Sequence, residues 1–274
     1  MPARPSEPTL DVSLIIPTNS IHRWLDRAVA SVLDQEGASF ELILYLDGVE
    51  LTPGTEWVSD PRVRLVHGTN SQGVGHALRE ACKHARGEFI ARLDSDDVAL
   101  PGRFARQVAY LRDHPDTVAV TGQAPWIDEE GARIGAFGHA SGADVRGKLL
   151  EQNVLVQSAI MFRAADYRAV GGYNPLRQME DYDLWLRLAL RGRMAVLDAH
   201  VVEYRIHPDQ TSRGVHPRAS YVKTVYAGRK NLAHLLGKSA GGQLIRNTAF
   251  RAALYMMYYL PPSLIRRIRT AASR

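Results

Sequence analysis

Short apolar runs that each stop at a polar tip, with amphipathic stretches between them, constrain this 274-residue chain more than any other feature. Val12 to Ile16 is continuously apolar and stops at Pro17-Thr18-Asn19. Phe40 to Leu46 is a second such run, closing on Asp47-Gly48, and Val63 to Val66 is a short third. Runs of this kind fit strands covered on both faces, as in parallel sheets. Between them, Ile21 to Leu33 places Leu25, Val29, Val32 and Leu33 at helical spacing, and Gly75 to Ala85 reads as a second helix. Gly87 punctuates before a strand that runs into Asp94-Ser95-Asp96-Asp97. A helix beginning near Pro101 and a strand over Val118 to Val120 follow. The alternation predicts an α/β fold with a mostly parallel central sheet, flanking helices and right-handed crossovers. Ligands bind such sheets outside the carboxyl ends of the strands. The tips at Thr18, Asp47 and Asp94 to Asp97 therefore describe one crevice.

After Val120 the pattern changes. Trp126 to Ile134 reads as a hairpin with Gly131 in its turn. Ser158 to Arg163 reads as a strand, Asp181 to Leu190 as an amphipathic helix, and Met194 to Ile206 as mainly extended. Beyond Pro217 the chain reads helical to its end, broken at Gly241-Gly242 and Pro261-Pro262. The expected organisation is an N-terminal tail over 1–9, a catalytic domain over 10–216 and a helical extension over 217–274. The change of pattern divides the domain into halves over 10–122 and 123–216.

Three carboxylates within four residues repel one another unless a cation gathers them. Hard divalent ions such as Mg2+ or Mn2+ favour carboxylate oxygens. A solvated acidic turn gives the same pattern. Glu180-Asp181 forms a second acidic pair, at the start of a helix, where acids also complement the macrodipole. A carboxylate there is expected to be ionised at neutral pH and so able to accept a proton from an alcohol. His207 follows an extended segment. No other histidine spacing suggests a zinc hydrolase.

Bulk properties narrow the class. Cys82 is the only cysteine, so neither an intrachain disulfide nor a thiolate zinc cluster can form, as suits a reducing cytoplasmic setting. The first ten residues lack the apolar core of a signal peptide, and no apolar run approaches the ~20 residues of a membrane span. The net charge of +5 conceals an asymmetry: residues 218–274 hold 11 Lys or Arg and no acid. The remainder holds 34 − 11 = 23 basic against 29 acidic residues. Such a tail suits an anionic membrane surface, with 250–274 as an amphipathic anchor on its inner face, or a helix packed on the body. No nucleic-acid motif accompanies it.

These segments together resemble the family 2 glycosyltransferases, inverting nucleotide-sugar enzymes of the GT-A fold. Val12 to Asn19 is similar to the family's opening strand. Ala85 to Asp97 is similar to the segment carrying its DXD motif. Val170-Gly171-Gly172-Tyr173 followed by Glu180 to Trp185 resembles the acceptor loop and ED motif, and Tyr204 to His207 with Gln210 to Ser212 the segment closing over the diphosphate. The resemblance implies that Pro17, Thr18, Asn19, Asp47, Arg79, Asp94, Ser95 and Asp96 bind the nucleotide sugar. It implies Asp181 as base, Glu180 and Trp185 at the acceptor, and Asp94, Asp96 and His207 around Mn2+ or Mg2+. The implied partners are a UDP-, GDP- or dTDP-linked sugar and a glycan or lipid-linked acceptor, in building surface polysaccharide. Leu46-Asp47 and Arg79 stand where many members have two acids and Asn respectively.

Other functions share parts of this pattern. Asp94-Ser95-Asp96-Asp97-Val98 also fits a haloacid-dehalogenase-like phosphatase, with Asp94 as nucleophile and Asp96 as acid/base. That motif normally opens its domain, whereas here two strand-helix units precede it. A nucleotidyltransferase would be expected to have a Gly-rich loop after its first strand. A nucleotide-sugar-binding protein without turnover would keep the donor residues alone.

Overall fold

The computed structural model describes residues 10–52, 54–136, 141–210 and 218–259, with backbone only over 252–259. In chain order the elements open with β1 (Val12–Thr18), α1 (Leu25–Leu33), β2 (Phe40–Asp47), β3 (Val63–Gly68) and α2 (Val74–Cys82). Next come β4 (Phe89–Arg92), β5 (Val98–Ala99), α3 (Arg103–Asp113), β6 (Thr117–Gln123), β7 (Pro125–Ile127) and β8 (Arg133–Ala136). The second half holds β9 (Met161–Arg163), α4 (Ala164–Ala169), α5 (Glu180–Leu188), β10 (Arg193–His200) and β11 (Val202–Arg205). Two helices complete the chain, α6 (Ala219–Leu235) and α7 (Ala240–Tyr259).

Seven strands form the central sheet in the order β10-β6-β9-β4-β1-β2-β3, parallel except at β9. The unbroken apolar runs follow from coverage of both faces. Alternation sends Leu14, Ile16, Leu42 and Leu44 into a core with α1 and α3, while Ile15 and Ile43 enter a second core with α2 and α5. All six are at most 1% exposed. Burying each such side chain stabilises the fold by about 1.5–3 kcal/mol. A smaller sheet, β5-β11-β7-β8, stands beside the first and contains the expected hairpin, with Gly131 at φ 93° in its turn.

Several boundaries differ from the sequence expectation. Residues 21–24 form a loop before α1, whose first helical residue is Leu25. Ser158 lies in a 3-10 turn rather than a strand, because its Oγ turns to accept the Asp94 amide at 2.9 Å. The helical break after Pro217 falls at Gly237, not at Gly241-Gly242, which lie inside α7. Gly237 adopts φ 65°, its amide donates to the His234 carbonyl, and the Lys238 amide donates to the Ala233 carbonyl. That left-handed cap satisfies the last carbonyls of α6, which glycines inside the next helix cannot do. The expected break at Pro261-Pro262 lies outside the described residues.

The extension packs on the helix that begins with Glu180 and Asp181. Val225, Leu232 and Ala233 of α6 are buried. A Cβ at Gly228 would stand 3.0 Å from the Leu186 Cβ, tighter than ordinary van der Waals contact, so the glycine eases this close approach of α6 to α5. Arg229 donates to the Leu150 carbonyl and lies 4.8 Å over the Phe250 ring of α7.

Candidate active site

A cavity of about 710 Å³ opens at the carboxyl ends of β1, β2 and β4. Pro17, Thr18, Asn19 and Asp47 line one end. Asp94, Ser95 and Asp96 form its floor, and Glu180 and Asp181 enter from the first turn of α5. Parallel pairing of β1 with β2 and β4 places the three tips side by side. Asp47 is 4% exposed; its Oδ2 accepts from the Ser71 hydroxyl at 2.7 Å, and its buried Oδ1 has no partner among the described residues. A buried acceptor left open is suited to an N–H of a ligand.

Three expected residues do not line the cavity. Arg79 Nη1 reaches the Tyr173 carbonyl at 3.5 Å, the limit of a hydrogen bond. Trp185 is fully enclosed against Phe162, so it fixes the seat of α5 rather than facing an acceptor. His207 sits beneath the floor, with Nε2 2.8 Å from Asp96 Oδ2 and its ring 4.6 Å from Trp24.

Carboxylate oxygens of Asp94, Asp96 and Asp97 converge within 4.8 Å, a donor set that fits a hard divalent cation. The three are not equivalent. Asp97 is 1% exposed, and its Oδ1 accepts the Arg205 amide at 2.7 Å, so it braces the loop from below. Burial and the neighbouring aspartates push its carboxyl well above the usual range. Asp94 and Asp96 are the pair that faces the cavity, with His207 behind Asp96.

Arg92, at the end of β4, is the cation that ties the acids together. Its Nη2 stands 2.5 Å from Asp94 Oδ1. Burial disfavours its charge, yet Asp94, Glu180 and Asp181 outweigh that and hold its pKa above the ordinary value. Burial raises the Asp94 carboxyl to about 6 against the pull of Arg92. On α5, burial and the adjacent Asp181 push Glu180 up to about 7, and burial raises Asp181. Both acids thus stand above the ordinary carboxylate value, Glu180 at about 7. The first turn of α5 is walled in by the cavity lining and the core, so desolvation outweighs the helix terminus.

Residues without a motif complete the lining. Arg177 and Met179 precede α5, and Met179 takes φ 60° immediately before Glu180. Arg218 and Tyr221 arrive from the extension at the start of α6. Arg92 had a readable signal, a cation in an apolar strand two residues before an acid. Arg218 and Tyr221 had none.

The sheet order, the acid-lined crevice and the hairpin agree with the GT-A fold expected from the sequence. The profile of Glycosyl transferase family 2 matches residues 13–168, more than half of the chain, and the protein belongs to that family. It is a glycosyltransferase, similar to EpsE of Bacillus subtilis (strain 168), with 31% identity over 66% of this chain and 67% of that protein. The O-antigen biosynthesis glycosyltransferase WbnJ of Escherichia coli is 27% identical over 82% of this chain and 92% of its own. Among solved structures, S. aureus TarS 1–349 in complex with UDP-GlcNAc superposes with a TM-score of 0.68 at 16% identity, covering 91% of this chain and 73% of that one. Family membership sets aside the phosphatase built on Asp94 and Asp96.

Proposed function

We propose that the protein moves a sugar, with inversion, from a nucleoside-diphosphate sugar to a hydroxyl of a glycan or lipid-linked acceptor in surface polysaccharide synthesis. The observation that carries this reading is that Asp96 and Asp181 line one cavity, so a donor on one and an alcohol on the other share a reaction centre. Thr18 and Asp47 would hold the base and ribose, the open Oδ1 of Asp47 accepting an N–H of the base. TarS structures carrying UDP-GlcNAc and UDP favour a uridine donor as the first to test. Asp181 would take the proton of the attacking hydroxyl, its raised pKa making it a stronger base than an exposed aspartate. Glu180 would stand beside it as a hydrogen-bonding partner of the acceptor. Asp96 and Asp94 would hold Mn2+ or Mg2+, which supplies positive charge against the leaving diphosphate, with His207 bracing Asp96 from behind rather than reaching the ion.

Among the described residues no helix is long and apolar enough to cross a membrane. Contact with a lipid-linked acceptor would instead be peripheral, through the basic segment 250–274.

Nucleoside diphosphate release from a panel of UDP-, GDP- and dTDP-sugars, with and without Mn2+, identifies the donor. Asp181→Asn is expected to lower turnover by about 100-fold or more with donor affinity retained. Asp96→Ala is expected to abolish Mn2+-dependent donor binding in calorimetry. Turnover of Asp181→Asn close to wild type would reject the assignment of the base.

A further inference from the structure

We propose that Asn153 is the positioning residue of the acceptor-activating carboxylate, and that the C-terminal extension holds it in place. The proposal rests on the reading of Asp181 as base. Asn153 Nδ2 donates to Asp181 Oδ2 at 2.7 Å, and the Tyr182 amide donates to Oδ1 at 2.6 Å. Each oxygen of the base thus has one fixed donor, which sets the plane of the carboxylate and leaves a lone pair for the incoming proton.

The orientation of the Asn153 amide is dictated by its own loop. Oδ1 accepts the Leu155 amide at 3.2 Å, so the nitrogen must face Asp181. Two residues later the same loop supplies Gln157, whose Nε2 donates to Glu180 Oε1 at 3.2 Å. One loop therefore orients both acids of the pair. Its base is fastened from three helices. Tyr182 of α5 donates its hydroxyl to the Leu149 carbonyl at 2.5 Å. Arg229 of α6 donates to the Leu150 carbonyl, as does Gln243 of α7 at 3.3 Å. Arg229 is wholly buried and Gln243 is 3% exposed, so these bonds form away from solvent. Both helices of the extension thereby send a side chain to the Leu150 carbonyl, three residues before Asn153.

Other charged groups acting on Asp181 are Arg92 from β4, Asp94 beyond it and Glu180 on α5. Arg92 and the two N–H donors favour the ionised base, while Asp94 and Glu180 oppose it. Removing the Asn153 amide deletes a donor without touching substrate, so its loss should act on the proton affinity of Asp181 and on turnover rather than on donor binding.

The test uses the full chain labelled with 13C-aspartate and titrated without metal. The Asp181 carboxyl resonance is identified by its absence in Asp181→Asn. Asn153→Ala is expected to move its midpoint to higher pH. Asn153→Asp, which keeps the shape and the Leu155 contact but sets a second carboxylate against the first, is expected to move it further. With the donor chosen by diphosphate release, both variants should lose about 10- to 100-fold in kcat with donor KM unchanged. An unmoved midpoint and wild-type kcat in both variants would overturn the proposal, as would failure of both to fold, which would mark a purely structural role. Full turnover of Asp181→Asn would reject the base itself while leaving the titration of the Asn153 bond to be judged separately.

Discussion

Glu180 combines a carboxylate suited to binding an alcohol with surroundings that resist its charge. Only 5% exposed, it titrates near 7 because burial and Asp181 disfavour the ionised form. Between the ordinary value of 4.5 and about 7, the folded chain holds a proton here that the unfolded chain has released. Stability therefore falls as pH rises through that window and stays reduced above it. A shift of this size corresponds to about 3 kcal/mol at most, since one pH unit is about 1.4 kcal/mol. Glu180→Gln removes the ionisation and keeps an oxygen for Gln157 Nε2. Urea unfolding of the metal-free protein should show no gain at pH 4 and a gain of about 1–3 kcal/mol at pH 8. Equal stability of the two proteins at pH 8 would show that Glu180 is not held against its charge. The same substitution should slow transfer, which would mark a site residue retained despite its effect on the fold.

At the scale of elements, α2 and the segment before α5 are fitted together by glycines. A Cβ on Gly75 would lie 2.2 Å from the Leu176 carbonyl and 2.8 Å from that of Asn174. Both neighbours are backbone, so nothing can rotate away. Gly75→Ala should push back the 174–179 segment that delivers Glu180 and Asp181, with a loss of about 1–3 kcal/mol in denaturant unfolding. Because that segment also lines the cavity through Arg177, nucleotide affinity is expected to fall with it. Unchanged stability and affinity would mean the segment moves freely. This pairing was not legible in the sequence, where Gly75 marks only a helix start. What was legible came from local chemistry: strands covered on both faces announce themselves as apolar runs, and their polar tips line one cavity. Asn153 and Arg218 escaped notice because their significance depends on partners brought by folding. Asn153 meets Asp181 across 28 residues, and Arg218 meets the cavity only because α6 docks on α5. Ser158 was misread for a related reason, since its hydroxyl serves Asp94 rather than a strand.

Over the whole molecule, the extension joins an inner part packed on the body to a strongly basic end. Its inner part is woven into the body by Val225, Arg229, Leu232 and Gln243, with Tyr226 and Phe250 stacked edge to face near Tyr182. Residues 252–274 add four arginines and no acid. A chain ending at 217 would uncover the α5 face around Leu186 and leave the loop before Asn153 without the Arg229 and Gln243 donors. Opening a buried apolar face of that kind typically costs several kcal/mol, enough to unfold a marginally stable domain. A chain ending at 251 keeps every one of those contacts, Phe250 included. It should therefore melt within a few degrees of the full protein and keep its turnover on a soluble acceptor. Attraction to anionic lipid contributes about 1 kcal/mol per basic residue near the surface and is screened by salt. Removing four arginines should thus abolish sedimentation with phosphatidylglycerol vesicles, which the full chain should show at low salt and lose at high salt. Equal recovery of the two chains with vesicles would assign the basic tail to something other than a membrane. Normal folding of the chain ending at 217 would detach the extension from the catalytic body.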